Sequence, residues 1–158
     1  MPHHPFAYLV PFITEMGRAM DHLRTKERDA VMFIEKSTDT GEVDPFQIGA
    51  RNIENITHLT RLAHLRSAST ARLQKLLKFH VRAVNEVIKA FQNYQHERHS
   101  EPSKQDILES ERVATVFHQE LDLCRGRTME TENLVKRTDL QINVVCLTLI
   151  SHIYQGCI

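Results

Sequence analysis

Imidazole and carboxylate groups suit divalent transition ions, and His96, Glu97, His99 and Glu101 bring such groups into one short polar stretch. Their spacing matches no defined zinc pattern, so a solvated turn is the simpler account. Glu109 with Glu111, and Glu130 with Glu132, are alternate residues, which on a helix point to different faces and cannot share a site. Glu120 lies four before Cys124 and Asp122 three before Arg125; each pair shares a helix face, and surface pairing accounts for both without chemistry. Cys124, Cys146 and Cys157 include no CxxC pair, and an odd number of cysteines fits free thiols in a reducing, intracellular compartment. No HExxH, GxGxxG, GKS or GKT, or GxSxG motif is present, so the chain is expected not to be an enzyme. No catalytic or cofactor-binding residue is assigned, and metal ligands stay unassigned.

The composition sets the elements that must position any such residue. A chain of 158 residues is one domain's worth and can bury an apolar core. Lysine plus arginine balances aspartate plus glutamate at 20 each, so no net field draws nucleic acid to the chain. Its 10 histidines are scattered and mark no pH switch. The stretch Met1–Phe12 has no lysine or arginine before its short apolar run and does not look like a secretory signal. With 5 glycines, 5 prolines and no tryptophan, and hardly any alternating β-branched runs, the expected fold is all-α: a bundle of three long helices with a long C-terminal stalk helix.

Helix 1 is expected over about 12–36, with Ile13, Met16, Met20, Leu23, Val31 and Ile34 as its apolar positions and a stop at Thr38–Gly41. Asp44–Pro45 reads as a cap and first helical position, although Gly49 delays the regular helix 2 to about 52–94. Its stripe is Ile53, Ile56, Leu59, Leu62, Leu65, Leu73, Leu76, Leu77, Val81, Val84, Ile88 and Phe91. Arg61, Arg66, Arg72, Lys75, Lys78, Arg82 and Lys89 fill much of the remainder. A phosphate-binding surface is one use for such a face, and a solubilising one is simpler.

Gln92–Ser103 forms the clearest loop. Helix 3, over about 103–154, carries Ile107, Ala114, Leu121, Thr128, Val135, Ile142 and Leu149 at seven-residue spacing. Offset by three run Ser110, Phe117, Cys124, Thr131, Thr138, Val145 and His152. This repeat is a coiled-coil-like seam, weakened by its threonines. Gly126 softens it by about 1 kcal/mol relative to alanine. A helix of about 50 residues is roughly 75 Å long, the length of a stalk, and homo-oligomerisation through helix 3 is expected.

Three stretches, in this order, resemble the CorA-like magnesium transport family in its divergent fungal form. Ile34-Glu35-Lys36-Ser37-Thr38 with Gly41 is similar to the turn after that family's first soluble helix. Leu59-Thr60-Arg61-Leu62-Ala63-His64-Leu65 is similar to the start of its next long helix. Arg137-Thr138-Asp139-Leu140-Gln141-Ile142-Asn143-Val144-Val145 is similar to the lower stalk. The chain departs from the pattern at Thr148–His152 and lacks the two membrane helices and the Gly-Met-Asn signature, so no pore residue is carried over. The resemblance implies the cytosolic stalk region of a ring-forming divalent metal ion transporter, cut off before its membrane spans or descended without them. It also implies a location on the cytosolic face of a membrane and weakly bound magnesium between protomers. The alternative is a free-standing helical interaction or scaffold module unrelated to transport.

The segment Leu140–Ile158 is uncharged and nominally near the about 20 residues that span a bilayer. Gln141, Asn143, Ser151, His152, Gln155 and Gly156 dilute it, which favours burial against partner helices over insertion. Membrane contact through 140–158, or through a missing downstream span, is the rival expectation.

Overall fold

The computed structural model describes residues 4–39, 50–98 and 102–156. A short 3-10 turn at Pro5–Tyr8 leads into α1 (Leu9–Asp39), followed by α2 (Ala50–Glu97) and α3 (Lys104–Gly156). The protein is all-α, as its helical apolar periods require. Of the expected helix 1 stop at Thr38–Gly41, Thr38 lies within α1, whose helix continues to Asp39; Gly41, the Asp44–Pro45 cap, His99 and Glu101 lie outside the described residues. α2 continues through Gln92–Glu97, where a loop was expected, because polar side chains do not by themselves end a helix.

Local signals fix the helix starts. α1 begins before Pro11, not after it as expected, because a proline in the first turn removes only an N–H that has no intrahelical acceptor. The preceding turn has His4 as its cap, with Nδ1 accepting from Phe6 N at 3.3 Å. At the start of α3, Ser103 Oγ accepts from Asp106 N at 3.2 Å and Asp106 Oδ2 accepts from Ser103 N at 3.1 Å. This reciprocal box satisfies two otherwise orphaned donors. Arg98 Nη2 also donates to Asp106 Oδ2 at 2.9 Å. The hydrogen bonds from Ser103 and Arg98 hold the Asp106 carboxyl below the usual carboxylate range.

The chain divides into two compact units, each built from parts of all three helices. The first comprises Met1–His22 and Lys75–Met129. Its core is Ile13, Val84, Ile88, Phe91, Val113, Phe117, Leu121 and Cys124. Phe91 meets Phe117 edge-on at 5.9 Å and Phe6 edge-on at 5.5 Å, a geometry that aromatic quadrupoles favour.

The second unit comprises Leu23–Gln74 and Glu130–Ile158. Ile56, Leu59 and Val145 form a buried cluster with Leu149 against it, and polar links between helices are numerous. Arg24 pairs with Glu130 and Arg137 with Glu35. Thr38 Oγ1 donates to Gln141 Oε1 at 2.9 Å, and Ser69 Oγ to Glu27 Oε1 at 2.7 Å. In this unit α1 therefore runs parallel to α3, with α2 antiparallel to both.

The buried lines differ from a count of apolar residues. On α2 the buried positions are Ile56, Leu59, Ala63, Thr70, Leu73, Leu77, His80, Val84, Ile88 and Phe91. Leu65 and Leu76, expected in the stripe, are 64% and 46% exposed, and Leu23 of α1 is exposed too. The reason is phase: Ile56, Ala63, Thr70, Leu77, Val84 and Phe91 recur every seven residues as one buried line with Leu73 and His80 one turn away from its members, and Leu65 and Leu76 fall beside that line. On α3 the seven-residue line Phe117, Cys124, Thr131, Thr138, Val145 is buried throughout. Phe117, Cys124 and Val145 pack in this chain's own two clusters, so this line faces inward. The buried Thr138 hydroxyl donates to Leu134 O at 2.8 Å, which allows a polar side chain to sit there.

Candidate functional site

The most organised polar group lies inside the first unit, beside its apolar core. His80 projects from α2, and Glu120, Cys124 and Arg127 project from α3, all on the buried lines. Glu120 and Cys124 are one turn apart on one face, as are Cys124 and Arg127, so a single helix delivers three polar heads to one point. Cys124 Sγ lies 3.4 Å from His80 Nδ1, 3.6 Å from Glu120 Oε1 and 3.6 Å from Arg127 Nη1. Arg127 Nη1 also donates to Glu120 Oε1, and its Nη2 donates to Asp21 Oδ2 of α1 at 2.7 Å. The Asp21 side chain is 41% exposed and marks the solvent edge of the group.

Gly17 of α1 makes this packing possible. A Cβ placed there would stand 2.1 Å from Glu120 Oε1, 2.8 Å from its Cδ and 3.1 Å from Arg127 Nη1. Gly126 is the contrast, with nothing within 4 Å of its Cβ position. Gly126→Ala should therefore stabilise the chain by about 1 kcal/mol through helix propensity alone. Gly17→Ala gains the same propensity but displaces a buried carboxylate from its guanidinium, a loss of about 3–5 kcal/mol, and should destabilise on balance. Urea titrations of the two variants should move in opposite directions; a parallel shift would refute the role given to Gly17.

The electrostatics of the group keep its thiol and imidazole neutral. Burial pushes the Cys124 thiol up to about 11, with the Glu120 charge adding to it. Burial also lowers His80, as does Arg127, against an opposing pull from Glu120. A nucleophilic cysteine needs the reverse, a thiol lowered by a cationic neighbour. Arg127 is held charged by hydrogen bonds to Asp21 and Glu120, against the effect of its burial. His80, Glu120 and Cys124 together place one nitrogen, one oxygen and one sulfur ligand atom within 4.8 Å of one another, the donor set for a divalent transition ion.

The residues singled out from sequence fare unevenly. Surface pairing fails for Glu120 with Cys124, since both are buried; they lie in phase with Phe117 and Leu121, which the pairing rule ignores. It holds for Asp122 and Arg125, exposed and 3.2 Å apart. Glu109 is half-buried and Glu111 exposed, so they do face differently, while His96 and Glu97 are exposed. Cys146 is a half-buried free thiol, and Cys157 lies outside the described residues. The basic residues Arg61, Arg72, Lys75, Lys78, Arg82 and Lys89 are solvated, with Lys89 paired to Glu86 at 2.7 Å. His80 carried one signal that could have found it: it sits in step with Leu73, Leu77, Val84 and Phe91.

Comparison with family models, with curated proteins and with solved structures finds no match to this chain.

Proposed function

We propose that this chain is a helical stalk module that assembles with copies of itself, the cytosolic part of a CorA-like divalent metal ion transporter, and does not transport metal alone. The reading is carried by an exposed apolar stripe on the last part of α3. Leu140, Leu147 and Tyr154 recur at seven-residue spacing, 59%, 67% and 73% exposed, with Val144 between them. Leu140, Leu147 and Tyr154 lie on the side of α3 opposite to buried Val145, so the inward seam leaves them uncovered.

A seven-residue apolar repeat is the pattern that a like helix covers. No charge falls in the chain after Asp139, and the formal net charge is 0, so copies approach without mutual repulsion. Among the described residues no helix is long and apolar enough to cross a membrane. In this reading transport belongs to segments outside these helices, and weak magnesium binding arises at acidic surfaces between protomers.

Sedimentation of the full chain should show association at micromolar concentration, and Leu147→Glu should shift it to monomer with helicity intact. A wild-type chain that stays monomeric over that range would sink the assembly reading. Calorimetry should register magnesium binding in the assembled wild type that is lost in the monomeric Leu147→Glu variant.

One observation favours the second reading, an interaction module unrelated to transport. Leu76 and Phe79 stand exposed on α2 beside the solvated Lys75, Lys78 and Arg82, a surface suited to an acidic amphipathic helix. The coding sequence beyond codon 158 separates the two readings: two apolar spans support the transporter, and their absence supports the module.

A further inference from the structure

We infer that His80, Glu120 and Cys124 form a binding site for a single thiophilic divalent transition ion, of which zinc is the type, independent of the assembly proposed above. A four-coordinate zinc ion has bonds of about 2.3 Å to sulfur and about 2.0–2.1 Å to nitrogen or oxygen, which places neighbouring ligand atoms about 3.6 Å apart in a tetrahedron. Cys124 Sγ already stands 3.4 Å from His80 Nδ1 and 3.6 Å from Glu120 Oε1, and all three ligand atoms lie within 4.8 Å of one another. Thiolate, imidazole and carboxylate in one buried cluster select zinc or cobalt over magnesium, which requires an octahedral shell of oxygen. The fourth position falls to water.

Charge supports the same assignment. With the thiol protonated, Asp21, Glu120 and Arg127 together carry one net negative charge. Binding a divalent ion releases the thiol proton to solvent and forms the metal–sulfur bond, which brings these groups and the ion to neutrality. Arg127 Nη1 now touches both Glu120 Oε1 and Cys124 Sγ, and the ion takes over those two contacts. Nη2 keeps its bond to Asp21, so the guanidinium remains anchored at the solvent edge while its other nitrogen yields the space.

The test is cobalt titration of the full, metal-free chain, followed by absorbance. One equivalent of cobalt should produce a thiolate-to-metal charge-transfer band and the strong visible bands of four-coordinate cobalt. Stoichiometric zinc should abolish them, and excess magnesium should leave them unchanged. The double variant Cys146→Ser/Cys157→Ser, which keeps Cys124 as the single thiol, should retain the charge-transfer band, and Cys124→Ser should lose it. Absence of the band in the folded wild-type chain overturns the site. So does its loss in the double variant, a result that stands even if Cys124→Ser proves unable to fold.

Discussion

Arg127→Met should lower the folding stability of the chain by about 3–5 kcal/mol, because it leaves the Glu120 carboxylate buried without its guanidinium. Both side chains of this pair are 8% exposed, so water cannot take over the role of the missing cation. Asp21, with its side chain 41% exposed, contributes less to the loss, since solvent reaches it. The large cost belongs to the broken pair and not to the net worth of the intact one, which must offset the desolvation of both charges. The double variant Arg127→Met/Glu120→Leu should therefore recover most of the stability. Urea denaturation of the wild type, the single variant and the double variant, followed by circular dichroism, reads this cycle. A loss below about 1 kcal/mol in the single variant would mean that the carboxylate finds water, and the buried network described here would be wrong.

Phe117→Ala should cost a comparable about 3–5 kcal/mol, for a different reason. Phe117 is fully buried in the first unit, with Ile13, Val84, Ile88, Phe91 and Val113 in the same cluster. Truncation removes the transfer free energy of the ring and leaves a cavity that three helices cannot close without losing other contacts. It also removes the edge-on contact to Phe91, worth about 0.5–1.5 kcal/mol beyond area. Phe117→Leu should lose clearly less, since it keeps most of the volume. Equal losses for alanine and leucine in denaturant titrations would show that packing does not control this position.

The fold was largely legible because helical periodicity is a long-range signal. Stripes of this length leave little room for a strand, and Ser103 with Asp106 marks the start of α3, whereas α2 runs on to Glu97 through polar residues that read as a loop. The site was not legible, for a reason visible in the same stripes. Counting apolar residues admits Leu65 and Leu76, which lie off the buried phase, and passes over His80, Glu120 and Arg127, which lie on it. A polar residue in phase with a core looks like a surface residue until its partner on another helix is known. Here the partners come from α1 and α2: Asp21 reaches Arg127, and His80 reaches Cys124. Nothing in the local sequence around Glu120 announces them. Gly17 was invisible for a related reason, since its lack of a side chain matters through Glu120 and Arg127 on another helix.

The parallel pairing of α1 with α3 shapes how this chain reaches its fold. Asp21 meets Arg127, Glu35 meets Arg137, and Thr38 meets Gln141 across 106, 102 and 103 residues of sequence. Helical proteins commonly fold fast because their contacts are local. Here the first helix must wait for the last, and closing so long a loop carries an entropic cost before any contact offsets it. Neither compact unit is a continuous stretch of chain. During synthesis from the N-terminus, the α1 face bearing Gly17 and Asp21 stays without its partners until α3 has emerged, so the polar cluster can close only as one of the last events of folding.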